Sequence, residues 1–444
     1  MAAWYGAVSQ PGPLDRLEGV ESIDIPRTFV VGGGLAGLTA GAVLARAGRA
    51  VTVLEGAGHL GGRARTRHRD GYSFNLGPHA VYKGGDGYRV LRRLGITPIG
   101  RSPSLRRAAV LVDGGVRGSF GHLLGHLHQR TRLLRLMAGL ADDAAAELAG
   151  TSARTWIDGA LEDPDARRVL GAIVRTATYQ ADLERLDASA AVHQLRAAAR
   201  GVVYLDGGWS QLVDALAECL RRDGGSIMTG VSVTAVDHDE RVRAVRLADG
   251  TTLPADDVVV AVQDPGHALE LMDGPGRERL SGPASAAVPV RMAHLDVALR
   301  PSSGARRGNV FGLDDDVFVN VPSDVAALAP AGGMVVHAAR YLRAGEDHGD
   351  WRASLEDALE RALPGWRDDV VDVRCVPRSM VAGDSARMET GGARGRPAAD
   401  VTGVRGLALA GDWVGPRGYL FDAAVGSGEA AAHGLLASHQ RVTV

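Results

Sequence analysis

Apolar and polar positions alternate in distinct textures along the chain. Residues 28–31 form a short apolar strand, residues 35–47 a helical stretch rich in alanine and leucine, and residues 51–54 alternate as a second strand. Together they predict a βαβ unit of about thirty residues. From roughly 88 to 200, apolar residues recur at spacings of three and four, as at Leu123, Leu127, Leu134 and Met137, and predict a mostly helical block. Strand texture returns at 227–236, 242–247 and 258–262. A longer strand is predicted over 288–299, with 309–321 and 334–339 placed to pair beside it. Near the end, 406–410 reads as a buried strand, 411–420 as a glycine-rich turn and 423–437 as a small-residue helix. Features of βα type therefore fall in three separated stretches, with helix-rich and strand-rich material inserted between them.

Composition changes this picture in a few ways. A chain of 444 residues is too long for one simple core, so two domains are expected. Hydrophobic residues at 45% and charged residues at 23% are the balance of a folded soluble protein. A net charge of -2 gives no case for nucleic acid as a partner. Cys219 and Cys375 stand far apart in apolar contexts and match neither a metal cluster nor a disulfide framework, as in a reducing compartment. Residues 1–26, an N-terminal extension, lack the basic start and apolar stretch of a signal peptide. No apolar run approaches the roughly 18 residues that span a bilayer, so a cytoplasmic protein is expected.

The segment Val31-Gly32-Gly33-Gly34-Leu35-Ala36-Gly37 carries G-x-G-x-x-G between a predicted strand and a predicted helix. Gly32 permits the tight turn, Gly34 lets a pyrophosphate approach the backbone, and Gly37 allows close helix-to-strand packing. The helix N-terminus offers unpaired amides and a positive dipole to phosphates. Glu55 ends the second strand, where an acid hydrogen-bonds ribose hydroxyls and repels a 2′-phosphate. With 60 glycines in the chain, the glycines alone would be weak; strand, turn, helix, strand and acid in order are strong.

The pattern continues through Gly56 to Gly61-Gly62-Arg63-Ala64-Arg65-Thr66, and here the sequence resembles the flavin amine oxidase and phytoene desaturase superfamily, which includes protoporphyrinogen oxidases. The resemblance implies one non-covalently bound FAD. It places the GGR motif against the phosphates and ribityl chain, and Arg63 adds positive charge there. Phe74-Asn75-Leu76-Gly77-Pro78-His79-Ala80 resembles the segment beside the isoalloxazine ring, its Gly-Pro form being more similar to the desaturase and protoporphyrinogen oxidase branches. Val233, within 231–236, resembles the valine whose backbone contacts the adenine. Gly411-Asp412 resembles the motif whose acid binds the ribityl hydroxyls, and the helix from Ala424 and Val425 would aim its N-terminus at the flavin pyrimidine edge. The fold class expected is α/β: a Rossmann-type, glutathione-reductase-like FAD-binding domain from 27–87, 201–265 and 395–444, with a discontinuous α+β substrate-binding domain from 88–200 and 266–394.

Flavin oxidation needs a C–H bond held beside the ring in a water-poor pocket, often with a base for a second proton. His79 and Tyr419 are the first candidates for chemistry, followed by Arg291, with Trp413 and Tyr204 behind them. Each has a structural alternative: a turn-capping imidazole, a packed ring. Many flavin amine oxidases hold a water near the ring with a lysine; the one lysine here, Lys83, lies in the cofactor region, and the strand 288–299 carries Arg291 instead. His122, His126 and His128 have no accompanying carboxylate, so no metal is expected. Arg130, Arg132 and Arg135 continue that segment as a basic amphipathic stretch, open to peripheral membrane contact or to a solvated face. The preferred expectation is an FAD-dependent oxidoreductase removing hydride from an apolar or polycyclic small molecule, as a desaturase does. Its rivals are an amine oxidase producing an imine, a flavin-free lipid-binding escort protein, and an isomerase using reduced flavin.

Overall fold

The computed structural model describes residues 27–104, 107–118, 135–136, 139, 142–301, 308–346 and 348–440. The histidines and arginines at 122–132 and the extension 1–26 lie outside the described residues.

The strands Arg27–Val31 and Ala50–Glu55 run parallel, joined by the helix Leu35–Arg46. Asp257–Val260 pairs on the far side of the first strand and Leu407–Leu409 beyond it, while Ser226–Thr229 closes the opposite edge beside Ala50–Glu55. All four pairings are parallel. A parallel sheet is covered on both faces, which is why its inner strands carry apolar runs at 29–31 and 258–260. On one face Val30, Val53, Val259 and Ala408 meet the helices Leu35–Arg46, Ser210–Arg222 and Phe421–Gln440. On the other, Val31, Leu54, Val258 and Leu409 meet the antiparallel strands Val233–His238 and Val242–Leu247 and the helix Gly274–Ala286. This is a three-layer Rossmann-type unit assembled from three distant stretches of chain.

The inserted material builds a seven-stranded sheet in the order Val370–Ala382, Val290–Leu299, Met334–Leu342, Val317–Asn320, Val310–Gly312, Ala109–Val112, Gly115–Arg117. The pairing expected beside 288–299 is present: that strand lies against Met334–Leu342, whose other neighbour is Val317–Asn320. Side chains of Val290–Leu299 alternate. Ala293, Leu295 and Val297 pack with the helix Trp351–Ala362, whereas Met292 and His294 turn toward Gly77 in the nucleotide-binding part.

Three features depart from the sequence pattern. The 88–200 block is helical at Asp86–Arg93 and again in Ala153–Ala160, Pro164–Thr178 and Ala188–Ala199, but Ala109–Val112 and Gly115–Arg117 are strands. A four-residue apolar run carries no periodicity that separates helix from strand. The 227–236 strand divides at Gly230, which takes φ 74°, into Ser226–Thr229 of the parallel sheet and Val233–His238 of the outer layer. The edge strand Val370–Ala382 was not expected, because Pro377 and its charged residues obscure the alternation of a strand exposed along one side.

The C-terminal helix is tied to Asp86–Arg93 by Asp422, whose Oδ1 accepts a hydrogen bond from the Gly87 amide at 2.9 Å. Burial pushes the Asp422 carboxyl up to about 7. The folded state thus retains a proton that the unfolded chain releases near pH 4, and stability falls as pH rises from about 4 to about 7. Asp422→Asn keeps an acceptor for Gly87 without the charge. It is expected to stabilise the protein at pH 8 by on the order of 3 kcal/mol and to change little at pH 4, checked by melting temperature at both pH values.

Candidate functional site

At the carboxyl edge of the parallel sheet the chain leaves Val31 and turns at Gly32, whose φ of 107° suits only glycine. A Cβ at Gly32 would lie 2.3 Å from the Ala261 carbonyl oxygen, and one at Gly37 2.0 Å from the Gly32 carbonyl oxygen; at Gly34 nothing lies within 4 Å. The first and last of the three glycines are therefore demanded by packing, and the middle one by open space beside the backbone. The helix that follows has Gly34 as its N-cap, no capping side chain and no acid in its first turn. Its leading amides and positive dipole end are thus free for an anion.

These elements border a cavity of about 740 Å³. Of the residues expected to hold the cofactor, Gly32, Gly34, Leu35, Ala36, Glu55, Gly56, Gly61, Gly62, Arg63, Pro78, His79, Val233, Gly411, Asp412 and Ala424 line it. Gly37, Gly77 and Val425 lie behind that lining: Gly37 between helix and strand, Gly77 against Met292, and Val425 in the core. Glu55 is fixed at its end of the strand, accepting from the Gly33 amide at 2.7 Å through Oε2 and from Ala57 at 2.7 Å through Oε1. Arg63 donates from Nη1 to Asp412 Oδ2 at 2.6 Å and to the Val381 carbonyl at 2.7 Å. The Asp412 carboxylate takes the Gly383 amide at 3.0 Å on its other oxygen. One ion pair thus joins the GGR motif to the C-terminal motif and to the edge strand of the second sheet. Arg65, by contrast, meets His59 on the exposed side.

The apolar part of the lining is made by Leu76, Tyr179, Met292, Met380, Leu420 and Phe421. His79 enters it with Nδ1 3.1 Å from the Gly77 carbonyl and its ring edge-on to Trp209, centroids 4.8 Å apart. Burial pulls the His79 imidazole down to about 4, against the raising effect of the Gly77 carbonyl, so the ring is neutral at ordinary pH. Tyr179 donates from its hydroxyl to the Pro78 carbonyl at 2.7 Å. Tyr179 at φ 57° and Leu420 at φ 52° are left-handed without being glycine, a conformation that clusters at functional sites, and both line this cavity.

The other candidates lie elsewhere. Tyr419 is buried outside the lining, its hydroxyl accepting from Gln180 Nε2 at 3.1 Å and its ring beneath Arg396, so the expected pocket wall is supplied by its neighbour Leu420. Arg291 lies opposite Leu342 and Met380 in the second sheet, and Met292 faces the cavity in its place. Trp413 is buried and donates to the Val262 carbonyl at 3.0 Å. Tyr204 accepts from the Asn309 and Asn320 amides at 2.7 and 2.8 Å, as a structural corner between the sheets. Lys83 packs near Gly201, outside the lining. Tyr179, Met292, Met380 and Phe421 were missed, since nothing local in their sequence signals a wall built from four separate segments.

A strand, an uncapped helix N-terminus, an acid ending the second strand and a cavity lined by all of them are the parts of a dinucleotide-binding site, and the residues present fit FAD. The chain belongs to the flavin-containing amine oxidoreductases, whose family model matches residues 35–288. It is 24% identical over 284 residues to the 4,4′-diaponeurosporene oxygenase of Staphylococcus aureus, covering 52% of this chain and 54% of that protein. It is also 52% identical over 52 residues to the L-amino-acid oxidase of Crotalus adamanteus, covering 12% of this chain and 10% of that one. The chain spans about half the length of the first of these curated relatives and a tenth of the second. Among solved structures, an oxidoreductase from Methanosarcina mazei matches with a TM-score of 0.75 at 19% identity, over 92% of this chain and 100% of that one. Cyclohexylamine oxidase from Brevibacterium oxydans matches with 0.65 at 18% identity, over 94% and 100%. Both share the fold.

Glu55→Ala and Asp412→Ala are each expected to weaken FAD retention by about tenfold or more, on the order of 1.4 kcal/mol. The ratio of flavin to protein absorbance after gel filtration checks both; full occupancy in the two variants would remove these carboxylates from the cofactor site.

Proposed function

We propose that this flavoenzyme removes a hydride from an apolar or polycyclic small molecule and leaves a new C=C or C=N bond, in the manner of a desaturase. The observation that carries the reading is the polarity of the cavity. Its charged lining, Glu55, Arg63 and Asp412, belongs to the nucleotide-binding segments, while the wall formed by Leu76, Tyr179, Met292, Met380, Leu420 and Phe421 carries no carboxylate for an ammonium group. His79 is neutral there, and no lysine lines the cavity among the described residues. The match to a protein named as a 4,4′-diaponeurosporene oxygenase supports the choice of substrate class and not the hydride removal itself.

Bound FAD supplies the hydride acceptor. Around it, Gly32, Gly34 and the helix Leu35–Arg46 would hold the diphosphate, Glu55 the adenosine ribose, and Asp412 with Arg63 the ribityl chain. The apolar wall excludes water and orients the substrate by shape. His79 keeps Nδ1 toward Gly77, which leaves Nε2 able to accept a proton from substrate.

Anaerobic titration of the purified yellow protein with polyenes, porphyrinogens and amines separates the readings. Flavin bleaching by a polyene or porphyrinogen is the expected outcome, and bleaching by amines alone would replace desaturation with amine oxidation. His79→Gln is expected to keep its flavin and to be reduced roughly tenfold or more slowly, measured by stopped-flow absorbance; wild-type rates would take His79 out of the chemistry.

A further inference from the structure

Behind the segment 76–80, the second sheet carries three ionisable side chains with no assigned task. His294 and Asp296 project from the same face of Val290–Leu299, and His337 stands directly opposite Asp296 on Met334–Leu342. Asp296 Oδ1 receives both imidazoles, His294 Nδ1 at 2.9 Å and His337 Nδ1 at 2.7 Å. All three are essentially without solvent contact. Nε2 of each imidazole is buried and has no hydrogen-bond partner.

The cluster adjoins the cavity wall. Gly77, at φ 80°, lies so close to His294 that a Cβ there would stand 3.2 Å from the ring and 2.5 Å from the terminal methyl of Met292, which lines the cavity. Burial opposes the Asp296 charge, but the imidazoles of His294 and His337 more than offset it and hold the carboxyl well below the usual range. Ionisable groups near the cluster are His79 from the 76–80 segment and Arg374 and Cys375 from the edge strand, while Tyr204 bonds Asn320, the residue opposite His337. Among the described residues no group of three His, Cys, Asp or Glu is placed to hold a metal ion, so the cluster is read as proton chemistry.

With Nδ1 of both rings committed to one carboxylate, each Nε2 is an empty acceptor in a place where an unpartnered polar atom is costly. We propose that His294, Asp296 and His337 form a buried proton-holding unit that binds one proton when the flavin in the adjoining cavity receives a hydride. The substrate C–H bond breaks with its electron pair passing to the flavin. The neighbouring C–H leaves its pair in the new double bond and its proton on His79 Nε2, and a second proton, drawn from solvent water, is bound at Nε2 of His294 or His337. The Asp296 carboxylate, already bonded to both imidazoles, would hold the added positive charge.

This rests on the flavin ring lying along residues 76–80, and the test separates the two claims. The midpoint potential of the holoprotein is measured against pH between about 5 and 8, where imidazoles titrate, using dye-equilibrated reduction. Each proton bound with two electrons steepens the dependence by about 30 mV per pH unit. Wild type is expected to be steeper by that amount than Asp296→Asn, with His337→Gln as the second variant should the first fail to fold. A yellow variant with the wild-type slope overturns this proposal alone; a colourless wild type would overturn the cofactor reading beneath it.

Discussion

Parallel pairing is the constraint on which the rest of the structure depends. Parallel strands need a crossover between each pair, so all of them end at one edge and all their outgoing loops gather there. Val31, Leu54, Val260 and Leu409 bring to that edge the glycine turn, the acid Glu55, residues 261–263 and the Gly411-Asp412 motif. Stretches hundreds of residues apart in sequence therefore border one cavity, and the ion pair between Arg63 and Asp412 bridges a separation of 349 positions.

The lining of that cavity has a polar part and an apolar part. Toward the glycine turn, every polar group is anchored: Glu55 by two amides, Asp412 by Arg63 and Gly383. Beneath Asp412 the buried Arg396 donates to the Asp412 and Gly418 carbonyls, bracing the loop that carries Leu420. Elsewhere in the lining the left-handed Tyr179 donates to the Pro78 carbonyl, and Leu420, Met292 and Met380 supply apolar surface. Anchored carboxylates and an apolar lining thus share one cavity, as in many cofactor sites.

What the sequence disclosed follows from the range of the interactions involved. Gly37 and Glu55 were legible because each answers to contacts within a few tens of residues, Gly37 being opposed by Gly32 and Glu55 by Gly33, whereas the GGR motif, whose Arg63 reaches Asp412, was read through resemblance. Residues 74–80 and Asp412 were readable only through resemblance to a family. Met292 and Tyr179 were not, since a wall residue is defined by the register of strands that no local pattern reports. The same holds for the pairing of His294, Asp296 and His337, which depends on Asp296 standing opposite His337. Tyr419 shows the converse: a residue one place from the cavity is indistinguishable from one in it when strand and turn geometry are unknown.

The position of Leu407–Leu409 at the edge of the parallel sheet has a consequence during synthesis. Until that strand and the helix Phe421–Gln440 leave the ribosome, Asp257–Val260 presents an open edge and Leu38 and Leu44 lack part of their cover. At a translation rate of about 5–20 residues per second, the nascent chain spends on the order of ten seconds with its nucleotide-binding turn formed and its last wall missing. A truncation before Leu407 would therefore spare every glycine of the N-terminal motif and still remove the sheet's last strand and the Asp412 partner of Arg63.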